Sequence, residues 1–147
     1  MTTEPATPED RTDESVDATR LSEAEWSQRL SPEQFQVLRM KGTDRPFAGE
    51  YTHPVYKGVF RCAGCGSELF SSEAQFDSGS GWPSFVRPFN FENVDLHEDN
   101  SHGMHRVEVT CKSCGGHLGH LFADGPAPTG QRWCINSTSL QLDTNAN

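Results

Sequence analysis

The sequence predicts a small, mainly β domain of antiparallel strands and many turns, entered through short helices and held together by a zinc ion on four cysteines. Three observations predict it. The composition is lean, 33% hydrophobic with 13 glycines and 9 prolines in 147 residues, which suits a loop-rich β domain better than a helical bundle. Beyond Gly42 the apolar residues fall in short alternating runs, such as His105-Arg106-Val107-Glu108-Val109-Thr110 and Arg132-Trp133-Cys134-Ile135-Asn136, the period of half-buried strands. Two C-x-x-C-G motifs supply the staple from which so lean a domain benefits. The length favours one core with tails over two domains.

Taken in order, the chain opens on an acidic tail. Residues 1–20 carry Glu4, Glu9, Asp10, Asp13, Glu14 and Asp17 against two arginines, with almost no apolar side chain. Such a segment buries too little surface to offset its ordering entropy, so disorder is expected over 1–20. Order is expected to begin with Leu21-Ser22-Glu23-Ala24-Glu25-Trp26. Ser22 and Glu25 form a capping box there, and Leu21 with Trp26 a hydrophobic staple. The same grammar recurs at Leu30-Ser31-Pro32-Glu33-Gln34-Phe35, with Pro32 at the first helical position. Gly42 is expected to end this second helix.

Charge and hydropathy exclude several roles. A net charge of −9 without clustered Lys and Arg argues against a nucleic-acid partner. No apolar run approaches the roughly 20 residues that span a bilayer, and the N-terminus lacks the basic and apolar stretches of a signal peptide. The expected location is cytoplasmic, without membrane attachment. In a reducing compartment, five cysteines point to metal binding and catalysis before disulfides.

Cys62-Ala63-Gly64-Cys65-Gly66 and Cys111-Lys112-Ser113-Cys114-Gly115 are the two knuckles. Two residues between thiolates let one tight turn aim both sulfurs at one ion, and the following glycine can take the positive φ the turn needs. Together they supply a tetrahedral zinc site of Cys62, Cys65, Cys111 and Cys114. A closed shell of four thiolates makes that zinc structural. A thioredoxin-like role would need a βαβ context, and neither motif has an obvious helix after it.

The fifth cysteine, Cys134, sits in a predicted strand. There Arg132, Cys134 and Asn136 share one face, and Trp133 and Ile135 take the other. A lone strand cysteine is commonly an inert small hydrophobe. A cation and an amide on the same face change that weighting, since they favour a thiolate and position a bound oxygen. Gly116-His117-Leu118-Gly119-His120-Leu121-Phe122-Ala123-Asp124 adds two histidines just upstream. On a regular strand His117 and His120 face opposite ways. A bulge at Gly119 is the hypothesis that brings both imidazoles to one side as proton donors.

These blocks, with Arg45-Pro46-Phe47, Gly49-Glu50-Tyr51 and Gly81-Trp82-Pro83-Ser84-Phe85, carry a resemblance. The sequence resembles the peptide-methionine (R)-S-oxide reductases, the B-type methionine sulfoxide reductases, from about Leu21 to Leu142. The resemblance implies two packed antiparallel sheets in a tent-like fold and a reductase domain over 21–143, followed by a short tail at 144–147. It implies Cys134 as nucleophile, zinc on the four knuckle cysteines, and His117, His120 and Asn136 around the substrate; Arg132 joins the candidate catalytic residues through its place on the face of Cys134. Trp82 and Phe85 are implied at the substrate, Trp82 as a flat wall for the S-methyl group. The implied reaction is thiolate attack on the sulfoxide sulfur of oxidised proteins or peptides, with a proton from His120 or His117 and a sulfenic acid on Cys134.

One departure matters. Many relatives carry a resolving cysteine between the two glycines before the tryptophan, where this chain has Ser80. With four cysteines on zinc, the expectation is a monomeric one-cysteine enzyme recycled by an external thiol: thioredoxin, a glutaredoxin or a small thiol. Two other readings stand beside it. A zinc-ribbon-like binding module leaves the coexistence of Cys134, His117, His120 and Trp82 unexplained. A cysteine hydrolase would use Cys134 with His117 or His120 and Asp124.

Overall fold

The computed structural model describes residues 21–145; the expectation of disorder at 1–20 lies outside the described residues. Two short helices come first, α1 (Glu23–Arg29) and α2 (Pro32–Leu38). Both start as the sequence predicts, on reciprocal capping boxes, Ser22 with Glu25 and Ser31 with Gln34. Trp26 of α1 and Val37 and Leu38 of α2 are buried.

The end of α2 differs from the expectation. The helix stops at Leu38, Arg39 is its C-cap, and the left-handed residue is Lys41, with φ of 59°. Gly42 serves another purpose: its N–H donates to the Gln36 carbonyl at 2.9 Å, and a Cβ there would lie 2.9 Å from that same oxygen. Close approach, and not handedness, explains this glycine.

The strands are β1 (Val59–Cys62), β2 (Glu68–Ser71), β3 (Gln75–Phe76), β4 (Ser84–Phe85), β5 (Val94–Asp99), β6 (Arg106–Cys111), β7 (His117–Phe122), β8 (Arg132–Ile135) and β9 (Leu140–Asp143). They form two sheets, ordered β2-β1-β9 and β3-β4-β8-β7-β6-β5. Every pairing among them is antiparallel, as the alternating runs and the resemblance imply. Phe60 and Phe70 from the small sheet meet Phe85, Trp133 and Ile135 from the large one in a single apolar core. Phe70 stacks on Phe85 at 4.5 Å, and Phe60 meets Phe85 edge-on at 5.5 Å. Such aromatic pairs add to the stabilisation that burial alone provides. Strand alternation then sends the neighbours of Trp133 and Ile135 to the outer face of the large sheet.

The knuckles link the two sheets. The first turn joins β1 to β2, the second joins β6 to β7, and the four sulfur atoms lie within 4.8 Å of one another. Gly66 and Gly115 have φ of 85° and 77°, the conformation predicted for the residue after each second cysteine. In each turn this glycine's N–H bonds back to the first cysteine's carbonyl, at 2.9 and 2.7 Å. Arg39 donates to the Cys114 carbonyl at 2.8 Å and lies 4.8 Å over the Trp26 ring, docking the helices onto the second knuckle.

Candidate active site

The outer face of the large sheet carries a polar row that the strand register assembles. Ser84 of β4 pairs with Cys134 of β8, Cys134 with His120 of β7, and His120 with Glu108 of β6. Directly opposed residues share a face and sit as close neighbours. Residues scattered over 51 positions of sequence thus become one line of hydroxyl, thiol, imidazole and carboxylate, from Ser84 to Cys134. Above it lies a cavity of about 220 Å³ lined by Trp82, His120, Phe122, Arg132, Cys134 and Asn136, among others. Ordinary small-molecule pockets occupy roughly 300–1,000 Å³, so this one suits a single side chain.

The bulge proposed at Gly119 exists one residue earlier. Val109 pairs with Gly119 and Thr110 with His117, so Leu118 is the extra residue that opposes nothing. The slip brings the rings of His117 and His120 to 5.5 Å in an edge-to-face arrangement. Gly119 is needed for a different reason: a Cβ there would lie 2.0 Å from the Cys134 carbonyl oxygen, which belongs to the paired backbone. Gly119→Ala is therefore expected to destabilise the domain by about 1–3 kcal/mol or more, as forced overpacking does. A thermal melt checks it, with an unchanged midpoint counting against this close approach.

The two histidines have different surroundings. His120 reaches the cavity, and its Nε2 lies 2.7 Å from Asp99 Oδ2. Asp99 is in turn held by Ser101, through the hydroxyl at 2.6 Å and the backbone N–H at 3.0 Å, and by Arg106 at 3.5 Å. The Ser101 hydroxyl and the His120 imidazole keep its carboxyl far below the usual range. An ionised Asp99 only accepts, so His120 Nε2 carries a proton and Nδ1 is left as the exchangeable position. His117 is 3% exposed and bonds through Nδ1 to Glu108 at 2.7 Å. Lys41 approaches the other Glu108 oxygen at 3.4 Å. Burial pulls His117 towards the neutral form, against the opposing hydrogen bond to Glu108.

Cys134 is half-buried. Burial pushes its thiol up, opposed first by the Arg132 charge and then by hydrogen bonds from Ser80 and Arg132. Arg132 holds Asp124 through two bonds, at 2.8 and 3.2 Å, and stacks 4.4 Å over Phe122. Asp124 is thereby engaged with arginine, while the histidines bond Asp99 and Glu108, so the Asp124 triad of the hydrolase reading does not assemble. Asn136 lies on the expected face, but its amide is also a strut: Oδ1 accepts from Asp44 N at 2.9 Å and Nδ2 donates to the Leu118 carbonyl at 3.1 Å. Trp82 lines the cavity, its indole N–H donating to the Asp44 carbonyl at 3.0 Å. Phe85 is a correction: it is fully buried between Phe60 and Phe70 and does not reach the cavity. Strand alternation explains this, because its neighbour Ser84 takes the outer face.

Sequence reasoning missed Asp99, Glu108 and Ser101. Glu108 carried a signal, since it shares the polar face of its run with Arg106 and Thr110. Asp99 had none beyond an ordinary acidic stretch before a turn.

The four-cysteine cluster fits a tetrahedral ion. A tetrahedron with metal–sulfur bonds of about 2.3 Å has edges of about 3.8 Å, and the Cys62–Cys114 and Cys65–Cys111 sulfurs are 3.7 and 3.5 Å apart. Hydrogen bonds chiefly from Cys111 pull Cys65 and Cys114 towards thiolate, while Cys62 is pushed up. Such a mixed cluster is one a divalent cation would ionise fully.

Compared with known proteins, the chain matches the SelR domain over residues 30–144. It is 58% identical over 119 residues to the peptide methionine sulfoxide reductase MsrB of Methanosarcina mazei, covering 81% of this chain and 85% of that protein. Against the protein of the same name from Bradyrhizobium diazoefficiens it is 54% identical over 136 residues, 92% of this chain and 98% of the relative. The MsrB of Acinetobacter baumannii is 53% identical over 123 residues, 84% and 88% of the two chains. A domain match that takes in both knuckles, the histidine pair and Cys134, together with relatives alike over nearly their whole length, makes this chain a member of the SelR-domain family, that of the B-type methionine sulfoxide reductases.

Proposed function

We propose that the protein reduces the R epimer of methionine sulfoxide in oxidised proteins and peptides, with Cys134 as nucleophile. The observation that carries this reading is the register that opposes Cys134 to His120 at a small cavity walled by Trp82. The Cys134 thiolate attacks the sulfoxide sulfur, and His120 gives its Nδ1 proton to the sulfoxide oxygen. The S–O bond breaks, methionine leaves reduced, and Cys134 is left oxidised as a sulfenic acid. An external thiol then forms a mixed disulfide with release of water, and a second thiol frees Cys134. An external thiol such as thioredoxin is the proposed reductant, since Ser80 stands where many relatives carry a resolving cysteine. The indole of Trp82 opposite polar donors gives the site a methyl side and an oxygen side, which separates epimers at a chiral sulfur.

The ion on Cys62, Cys65, Cys111 and Cys114 is zinc in this reading, and its role is structural. The reductase unit runs over 21–143, acts as a monomer, and belongs to the cytoplasm. Among the described residues no helix is long and apolar enough to cross a membrane.

The test is turnover of dabsylated R- and S-methionine sulfoxide with dithiothreitol, together with dimedone trapping of the oxidised enzyme in the absence of thiol. R-only turnover with a dimedone adduct on Cys134 is expected. Turnover of neither epimer by folded, metal-loaded protein would return the binding-module reading.

The two histidines are expected to differ. General acid catalysis contributes about 10²–10⁴ in rate, so His120→Ala should lower kcat within that range. Asp99→Asn, which removes the acceptor that orients the ring, should fall short of it. His117→Ala should mainly lower stability, because its ring is buried on Glu108. Steady-state kinetics and melts of the three variants decide, and an equal kcat loss in His117→Ala would reverse the assignment.

A further inference from the structure

Ser84 is fully buried on the outer face, directly opposite Cys134. A buried hydroxyl needs partners, and it has two. Its oxygen lies 2.7 Å from the Ser78 hydroxyl and 3.1 Å from the Trp82 carbonyl. Ser78 continues the line, 2.8 Å from the Ser80 hydroxyl, and Ser80 reaches the cavity beside Cys134. Positive φ at Gly79 and Gly81, 74° and 97°, folds the loop so that Ser80 faces back over the strand pair. Backbone N–H groups of Ser80 and Trp82 also donate to the oxygens of Ser78 and Ser80, at 3.2 and 3.4 Å, fixing both hydroxyl oxygens while leaving their protons free to turn.

Each hydroxyl has one proton, so the line has a direction. In one orientation Ser84 donates to Ser78, Ser78 to Ser80, and Ser80 to the sulfur. In the other, the Cys134 S–H donates to Ser80, Ser80 to Ser78, Ser78 to Ser84, and Ser84 to the Trp82 carbonyl. Every serine oxygen keeps a partner in both. We propose that Ser84, Ser78 and Ser80 form a reversible hydroxyl relay on Cys134, donating to its thiolate and accepting from its thiol. Three rotations of O–H groups accompany the change while the thiol proton leaves sulfur for solvent through the cavity; no serine proton leaves its oxygen and no heavy atom moves.

The relay serves the reaction because attack requires the thiolate in a half-buried position that disfavours charge. Ser80 lines the cavity beside the reacting sulfur and is the group that would donate to it; Ser78 and Ser84 act through it as positioning residues. The other groups facing Cys134 are Arg132 on its own strand with Asp124 beside it, His120 on the neighbouring strand, itself held by Asp99 of β5, and Arg106 at the cavity wall. None of them hydrogen-bonds to Ser78, Ser80 or Ser84. The proposal rests on the reading of Cys134 as nucleophile, but its test does not need turnover.

The experiment is the pH dependence of Cys134 alkylation by iodoacetamide, followed at that residue by mass spectrometry, on zinc-loaded full-length native protein, Ser80→Ala, Ser78→Ala and Ser80→Thr. A hydrogen bond to a charged group corresponds to about one pKa unit. Ser80→Ala should therefore slow alkylation about tenfold at a pH below the thiol pKa, and reach the same plateau at high pH. Ser78→Ala, which keeps Ser80 but removes its donor, should give a smaller shift in the same direction. Ser80→Thr keeps the hydroxyl and should titrate like the native protein. Folded Ser80→Ala and Ser78→Ala that both titrate like the native protein would overturn the relay. A shifted titration in a protein that turns over neither epimer would keep the relay and sink the reductase reading.

Discussion

Cys134→Ser is expected to abolish turnover of methionine sulfoxide while leaving the fold intact. The substitution keeps the size of the side chain and the strand backbone that pairs with Ser84 and His120, so packing changes little. The chemistry changes completely. A serine hydroxyl does not ionise at any pH the protein survives, and its oxygen cannot be oxidised to the equivalent of a sulfenic acid. Arg132 and Ser80, which favour the thiolate against the effect of burial, have no anion to stabilise. The loss should be on the order of 10⁴ or more, as for removal of the nucleophile in other covalent mechanisms. The same variant should give no dimedone adduct at position 134. Turnover within about tenfold of native would require a different nucleophile. The remaining cysteines offer none that is uncommitted, since all four cluster together.

Loss of the metal is expected to unfold the domain. Cys111→Ser, or a strong chelator at neutral pH, should replace the cooperative melt by the signal of an unfolded chain. The reason lies in the placement of the knuckles: one hangs from the small sheet and the other from the large one, and their sulfurs meet at one point. Structural zinc sites contribute apparent binding energies of about 10–16 kcal/mol in finger peptides, against roughly 5–15 kcal/mol of net stability for ordinary domains. A lean two-sheet domain has little to set against that loss. Elemental analysis should find one zinc per chain, and iron in its place would revise the metal, because four thiolates in a tetrahedron accept either. An unchanged melt after complete metal removal would show that the aromatic core alone holds the sheets together.

How much of this was legible beforehand depended on how local each signal was. The capping boxes at Ser22 and Ser31 are contained within four residues, and they appear as predicted. The end of α2 is also local, yet Gly42 was misread. A glycine is equally suited to a left-handed turn and to a close backbone approach, and only coordinates tell which. The knuckles could be read because each is a complete turn whose chemistry is its spacing. That the two turns converge could only be inferred, from the need of a tetrahedral ion for four donors. The face of Cys134 followed from alternation around Trp133 and Ile135. The same rule, applied to Ser84 and Phe85, would have kept Phe85 out of the substrate site.

By itself, the sequence determined the strand-rich architecture, the two knuckles whose four sulfurs cluster, the odd fifth cysteine and the absence of a cysteine at position 80. Each of these is a matter of residue type and short-range spacing, which the chain carries wherever it folds. Only the tertiary structure decided which histidine reaches the cavity, which acid holds it, and what stands beside the thiol. Those depend on cross-strand register. A one-residue slip at Leu118 brings the rings of His117 and His120 together, and Asp99, Glu108 and Ser84 acquire their roles from partners on other strands. Register is set by packing of the whole core, so no window of the sequence contains it.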